Sequence, residues 1–143
     1  MSNPNTTVYS KGPGFSIGVL GEAITEIGHL IAVKPADGLL YKASDDADIR
    51  VIGAVVRDNQ IGAIGGKVQA DCGLFCFEND ATNPVTAASL GTVCYVKDSH
   101  TVCVAAGSTN KVIAGIVRNI ENSGMVAVEV GGADLSAIYA AHE

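Results

Sequence analysis

Three histidines, four cysteines, a glycine-rich stretch and a short run of aspartates are the residues of this chain whose types could do chemistry. Histidines hold metals or shuttle protons when spacing sets a second ligand or a nucleophile against them, as in His-x-x-x-His. His29, His100 and His142 lie far apart in the chain, and none has such spacing. They read as a strand start, a turn residue and a tail residue. In Cys72-Gly73-Leu74-Phe75-Cys76 the alternation of a strand puts positions 72, 74 and 76 on one side and Phe75 and Phe77 on the other, which is core patterning. Cys94 and Cys103 are widely spaced and fall in separate strands, so the second close pair that zinc requires is missing. No neighbouring base marks any thiol for activation. The expectation is four free, buried thiols acting as small hydrophobes.

Gly62-Ala63-Ile64-Gly65-Gly66-Lys67 looks at first like a phosphate-cradling loop, but Ile61 stands where the first glycine belongs and Val68 where the metal-binding hydroxyl belongs. A connector between strands accounts for the glycines. Asp45, Asp46 and Asp48 form the densest acidic cluster, yet a calcium loop would also need a Gly at its sixth position and a Glu at its twelfth; neither fits here, and Arg50 and Val51 break the run. A solvated hairpin tip is the plainer reading. No ordered Ser-His-Asp set and no paired carboxylates stand out. The chain is therefore expected to be no enzyme, with no catalytic residues, no cofactor and no metal.

The elements around these residues follow from composition and turns. At 143 residues the chain suits one compact domain able to bury roughly two thirds of its unfolded surface. Its 48% hydrophobic residues are mainly Ala, Val and Ile, with no Trp, three Phe and four Tyr, a balance that favours strands. Charged residues are only 17% and the formal net charge is -6, which argues against a phosphate-binding surface, so no nucleic acid is expected as a partner. Met1 to Thr7 lacks the basic start and apolar run of a signal peptide, and no later segment has spanning length, so no membrane is expected either.

Residues 1–16, rich in Asn, Thr, Ser, Gly and Pro, read as an extended N-terminal arm; residues 17–131 as one β-domain; and residues 132–143 as a C-terminal tail. Within the domain, Ile27-Gly28-His29-Leu30-Ile31-Ala32-Val33-Lys34 aligns with Leu90-Gly91-Thr92-Val93-Cys94-Tyr95-Val96-Lys97. Val51-Ile52-Gly53-Ala54-Val55-Val56-Arg57-Asp58 aligns with Val112-Ile113-Ala114-Gly115-Ile116-Val117-Arg118-Asn119 in the same order. Pro35-Ala36-Asp37-Gly38 and Asp98-Ser99-His100 supply the turns between. These matches predict an all-β fold, a compact barrel or sandwich built from two pseudo-repeated meander halves, about 22–70 and 83–130. Two short helices are expected, over Glu22 to Ile27 and over Asp134 to Ala141, the second placing Leu135, Ile138 and Tyr139 on one face.

The lead-in Ala23-Ile24-Thr25-Glu26-Ile27-Gly28, its looser echo Val85-Thr86-Ala87-Ala88-Ser89-Leu90-Gly91 and the Ile52-Gly53-Ala54-Val55-Val56 strand resemble bacteriophage head-decoration, or capsid cement, proteins over roughly residues 17–131. The resemblance implies a structural virion protein, made in the host bacterial cytoplasm, that binds the outer surface of the assembled capsid as a homo-dimer or homo-trimer. Its partner would be the major capsid protein, and its function to bridge neighbouring capsid subunits. Segments outside the repeat are then the candidate capsid or subunit contacts: Val8, Tyr9 and Phe15 in the arm, and Leu135, Ile138 and Tyr139 in the tail. The alternative from another class is a carbohydrate- or host-surface-binding β-module on the virion, against which the scarcity of aromatic platforms counts.

Overall fold

The computed structural model describes residues 8–131, with side chains from residue 14 onward. Nine strands carry the architecture: β1 Val8–Val19, β2 His29–Lys34, β3 Leu39–Lys42, β4 Arg50–Val55, β5 Lys67–Asn79, β6 Val93–Asp98, β7 Thr101–Cys103, β8 Ile113–Ile120 and β9 Val126–Val130. Five of them, in the order β5-β7-β6-β8-β9, return to β5 and close a barrel. Every contact in that ring is antiparallel except β5 with β7. The remaining strands extend from it: β4 meets β5 at Ala54 and Asp71, β2 lies between β4 and β3, and β1 runs antiparallel along β5. The expected all-β fold is therefore present, with a barrel as its closed part.

β5 is the hub. It pairs with β1, β4, β7 and β9, and both of its faces are buried along the middle. Val68 and Ala70 join Leu20, Ile24, Ile31, Leu40 and Val55 in one apolar cluster, while Phe75 and Phe77 fill the larger one with Val96, Val102, Val117, Val126 and Val128. A strand buried on both sides reads as a continuous apolar run, as Cys72 to Phe77 does. The arm expected over residues 1–16 is, from Val8 onward, part of β1.

Local chemistry explains the turns. Gly38 at φ 72 completes the β2–β3 hairpin, and the Asp37 carboxylate accepts from the Leu39 amide (2.9 Å) and the Tyr41 hydroxyl (2.7 Å). Two glycines mark close approaches between strands. A Cβ on Gly53 would meet the Asp71 carbonyl oxygen at 2.9 Å, and one on Gly115 would collide with the Glu129 carbonyl.

The helix expected over Glu22 to Ile27 does not form. Ile24 instead exchanges backbone hydrogen bonds with Gly62, both at 2.9 Å, and the Glu22 carboxylate accepts from the Lys42 amide at 2.8 Å. So short a segment cannot repay helix nucleation, whereas burying Ile24 among Leu20, Ile31 and Val55 rewards an irregular path. The second expected helix, Asp134 to Ala141, lies outside the described residues. Among the described residues the helical elements are three short 3-10 turns.

Candidate functional site

Folding does bring two of the histidines together. The β6–β7 turn docks on the start of β2: the Leu30 amide donates to the Ser99 carbonyl at 2.6 Å, and His29 Nδ1 lies 2.7 Å from Ser99 Oγ. The His29 and His100 rings stand edge to face with centroids 6.2 Å apart. Burial pushes the His29 pKa below its usual value; Lys42 and His100 push the same way, against Glu26 and Asp98. His29 is thus a neutral imidazole on a serine hydroxyl. The set stops short of a triad, because the Asp98 carboxylate turns to His100 Nδ1 (3.2 Å), and Ser99 is itself buried. No group of three or more His, Cys, Asp or Glu able to hold a metal occurs among the described residues.

The other sequence candidates resolve into structure. All four cysteines are free and buried, as expected. Burial pushes the Cys94 thiol up to about 12 and the Cys103 thiol up to about 11, so both stay protonated at neutral pH. In the glycine-rich stretch the amides of Gly62, Gly65 and Gly66 already donate to the carbonyls of Ile24, Leu20 and Ala63. They are spent on holding the loop. Asp45, expected at a solvated tip, reaches instead to the loop before β8. It accepts from the Thr109 amide (2.7 Å), the Asn110 amide (2.8 Å) and the Ser108 hydroxyl (3.2 Å). Burial works against its charge, but those hydrogen bonds outweigh it and hold the Asp45 pKa below the usual carboxylate value. Beside this tie a cleft of about 600 Å³ opens between residues 47–51 and 110–113.

Large apolar side chains left in water form the remaining feature. Phe15 is 56% exposed and Ile17 60%, on the outward face of β1. The inward face is fixed by Gly18, where a Cβ would strike the Leu40 side chain at 2.9 Å. Ile17 lies opposite Gln69, whose carbonyl accepts from the Gln60 side-chain amide (2.8 Å). Gln60 is 1% exposed and also accepts from the Val56 and Arg57 amides, so it clamps the 57–61 turn onto β5. That clamp sets Ile61, 44% exposed, beside β5, while bonds between Leu20 and Gly65–Gly66 hold Ile64, 68% exposed, at the end of β1. Of the five large apolar side chains exposed among the described residues, four are thus carried by β1 and the adjoining loop, both pinned to β5; the fifth, Leu90, lies apart, just before β6.

Of the contacts expected from sequence, Phe15 lies in this set. Val8 and Tyr9 belong to β1, with Val8 opposite Phe75 in the ladder, and Leu135, Ile138 and Tyr139 lie outside the described residues. Sequence reading missed Ile17, Ile61 and Ile64. The first carries a signal in hindsight, the Phe15-x-Ile17-x-Val19 alternation, and the other two are bulky apolar residues in a glycine-rich loop. No helix among the described residues is long and apolar enough to cross a membrane. Comparison with known proteins found no matching protein-family model, no matching curated protein and no matching solved structure.

Proposed function

We propose that this chain is a non-catalytic structural subunit that binds the outer surface of an assembled phage capsid and stabilises it by bridging neighbouring major capsid protein subunits. The observation that carries the reading is the exposed apolar side chains of Phe15, Ile17, Ile61 and Ile64 on a strand and a loop that are hydrogen-bonded to β5. Several bulky apolar side chains left exposed on a small folded domain suit a protein surface, whereas a sugar platform would want exposed aromatic rings, and among the described residues Phe15 is the only one more exposed than buried. Contacts available only in the assembled shell shift the equilibrium away from disassembly, and no chemistry is needed.

In the same reading the chain is a duplicated unit. Support comes from matched ladders. β2 pairs with β3 and β4 as β6 pairs with β7 and β8, and the ladders β2–β4 and β6–β8 each carry a register shift, after Ile31 and after Cys94. Gly53 faces Ile31 as Gly115 faces Cys94. Gly28 (φ 99) donates to the Val55 carbonyl, and Gly91 (φ 82) donates to that of Val117. Arg57 pairs with Asp71 at 3.0 Å, and Arg118 with Glu129 at 2.8 Å. Those acids lie opposite Ala54 and Ile116 in corresponding ladders. This correspondence aligns Gly53 with Gly115 and Val55 with Val117, one position away from the pairing suggested by sequence alone, and returns to that pairing at Arg57 and Arg118, where the β8–β9 ladder carries a register shift. The tail beyond residue 131 and the arm before residue 8 belong to the proposed contact set by sequence.

The test is co-sedimentation with capsids assembled from the major capsid protein of the phage whose genome encodes this chain. Wild-type protein should pellet with capsids and not with unassembled capsid protein. Replacing Ile61 and Ile64 by Ser should weaken binding by about tenfold or more while the fold is kept. Equal binding by this variant would remove the loop from the contact, and no capsid binding by wild type would overturn the reading.

A further inference from the structure

Among the described residues β1 is bonded along one edge only: its strand partner is β5, and the one other bridge near it is Leu20 to Leu40, just beyond its end. An unpaired edge presents a row of amides and carbonyls that invites another strand, and proteins normally guard it with charge, proline or a short length. β1 carries such guards at Lys11 and Pro13, but the stretch after them, Gly14-Phe15-Ser16-Ile17-Gly18-Val19, has neither a charged residue nor a proline. The whole chain carries a formal net charge of -6, so two copies repel over most of their surfaces, and this neutral stretch is where they can approach.

We propose that β1 pairs edge to edge with β1 of a second copy of this chain, antiparallel about a two-fold axis at Ser16. Strand geometry restricts the register. Side chains opposite each other in an antiparallel pair share a face, so Phe15 must oppose a residue of the same outward set. With Ser16 opposite its own copy, Phe15 faces the partner subunit's Ile17 and Ile17 faces the partner subunit's Phe15. The four exposed side chains then form one apolar cluster, whereas a slip by one residue would scatter them between faces. A single surface patch serves both copies, as an isologous contact requires. The inference stands apart from capsid binding, although it would double the apolar face offered to a shell and so supply the second foot that bridging needs.

Sedimentation equilibrium of the full chain, with no capsid present, tests it. Wild type should sediment as a dimer, and the double variants Phe15→Lys/Ile17→Lys and Phe15→Glu/Ile17→Glu as monomers, each set by like charges. Mixing the two variants should restore dimers, because each lysine then faces a glutamate. Far-UV circular dichroism checks that both variants fold; should either fail, Phe15→Ser/Ile17→Ser takes its place as the monomer control. Wild type remaining monomeric, a charged variant that stays dimeric, or a mixture that stays monomeric would each overturn the proposal. Loss of capsid binding with the dimer intact would instead count only against the capsid reading.

Discussion

Protonating His29 places a charge on a half-buried ring beside Lys42 and His100, which is why its pKa sits below the usual 6.5 of histidine. The unfolded chain therefore binds this proton more tightly. Stability should be undiminished by this group above pH 6.5 and should fall as pH drops through 6.5 toward the lower folded value. Urea titrations between pH 7.5 and 5 should show the midpoint falling, and His29→Gln, which carries no titrating ring, should flatten that dependence; an unchanged slope in the variant would assign it to other groups. Asp45 works in the opposite sense. Its pKa is lowered, so its contribution is complete above its usual value of 3.8 and is lost as pH falls through the lower folded value. Asp45→Ala removes the acceptor for three donors and should cost about 1–3 kcal/mol at neutral pH, read from denaturant midpoints. Neither role was legible in sequence. His29 and Ser99, like Asp45 and Thr109, come from different parts of the chain, and only strand register makes them neighbours.

Strands and hairpins were the legible elements, because their signals are local. The Asp37-Gly38 turn, the Asp98-Ser99-His100 turn and the short apolar runs of β2 and β6 could be read from neighbouring residues. Pairing could not. The expected Glu22–Ile27 helix failed because Ile24 and Glu22 found partners at Gly62 and Lys42, far along the chain. The core patterning read for residues 72–77 holds, but alternation alone did not tell that β5 serves two clusters, one through Val68 and Ala70 and one through Phe75 and Phe77. Glycine spacing between strands gives a test at this scale. Gly115→Ala drives a methyl into the Glu129 carbonyl, backbone that cannot step aside, and against the buried Val128 side chain, and should cost more than about 3 kcal/mol. Gly53→Ala meets Asp71 and Ala70 at about 3 Å and should cost about 1–3 kcal/mol. Urea midpoints of the two variants should fall in that order; equal midpoints would contradict the geometry.

As a whole molecule the chain is a closed barrel with further strands fixed to one of its staves, and its fold class followed from small β-branched composition and frequent turns. Its candidate contact face did not follow so directly. Phe15 was legible as an apolar residue outside the repeat, but Ile61 and Ile64 become a surface only through the Gln60 clamp and the bonds from Leu20 to Gly65 and Gly66. Substituting Ile61 and Ile64 by Ser should change folding stability by no more than about 0.5 kcal/mol, because both side chains already face water. Stability and binding thus separate in one variant, which thermal melts and capsid pelleting can read side by side. For the proposed place of the chain on the outside of a phage shell, the decisive measurement is electron cryo-microscopy of purified virions: density for the barrel is expected on the outer capsid surface, across the seams between capsid subunits, and the chain lying inside the shell or missing from the virion would overturn the proposal.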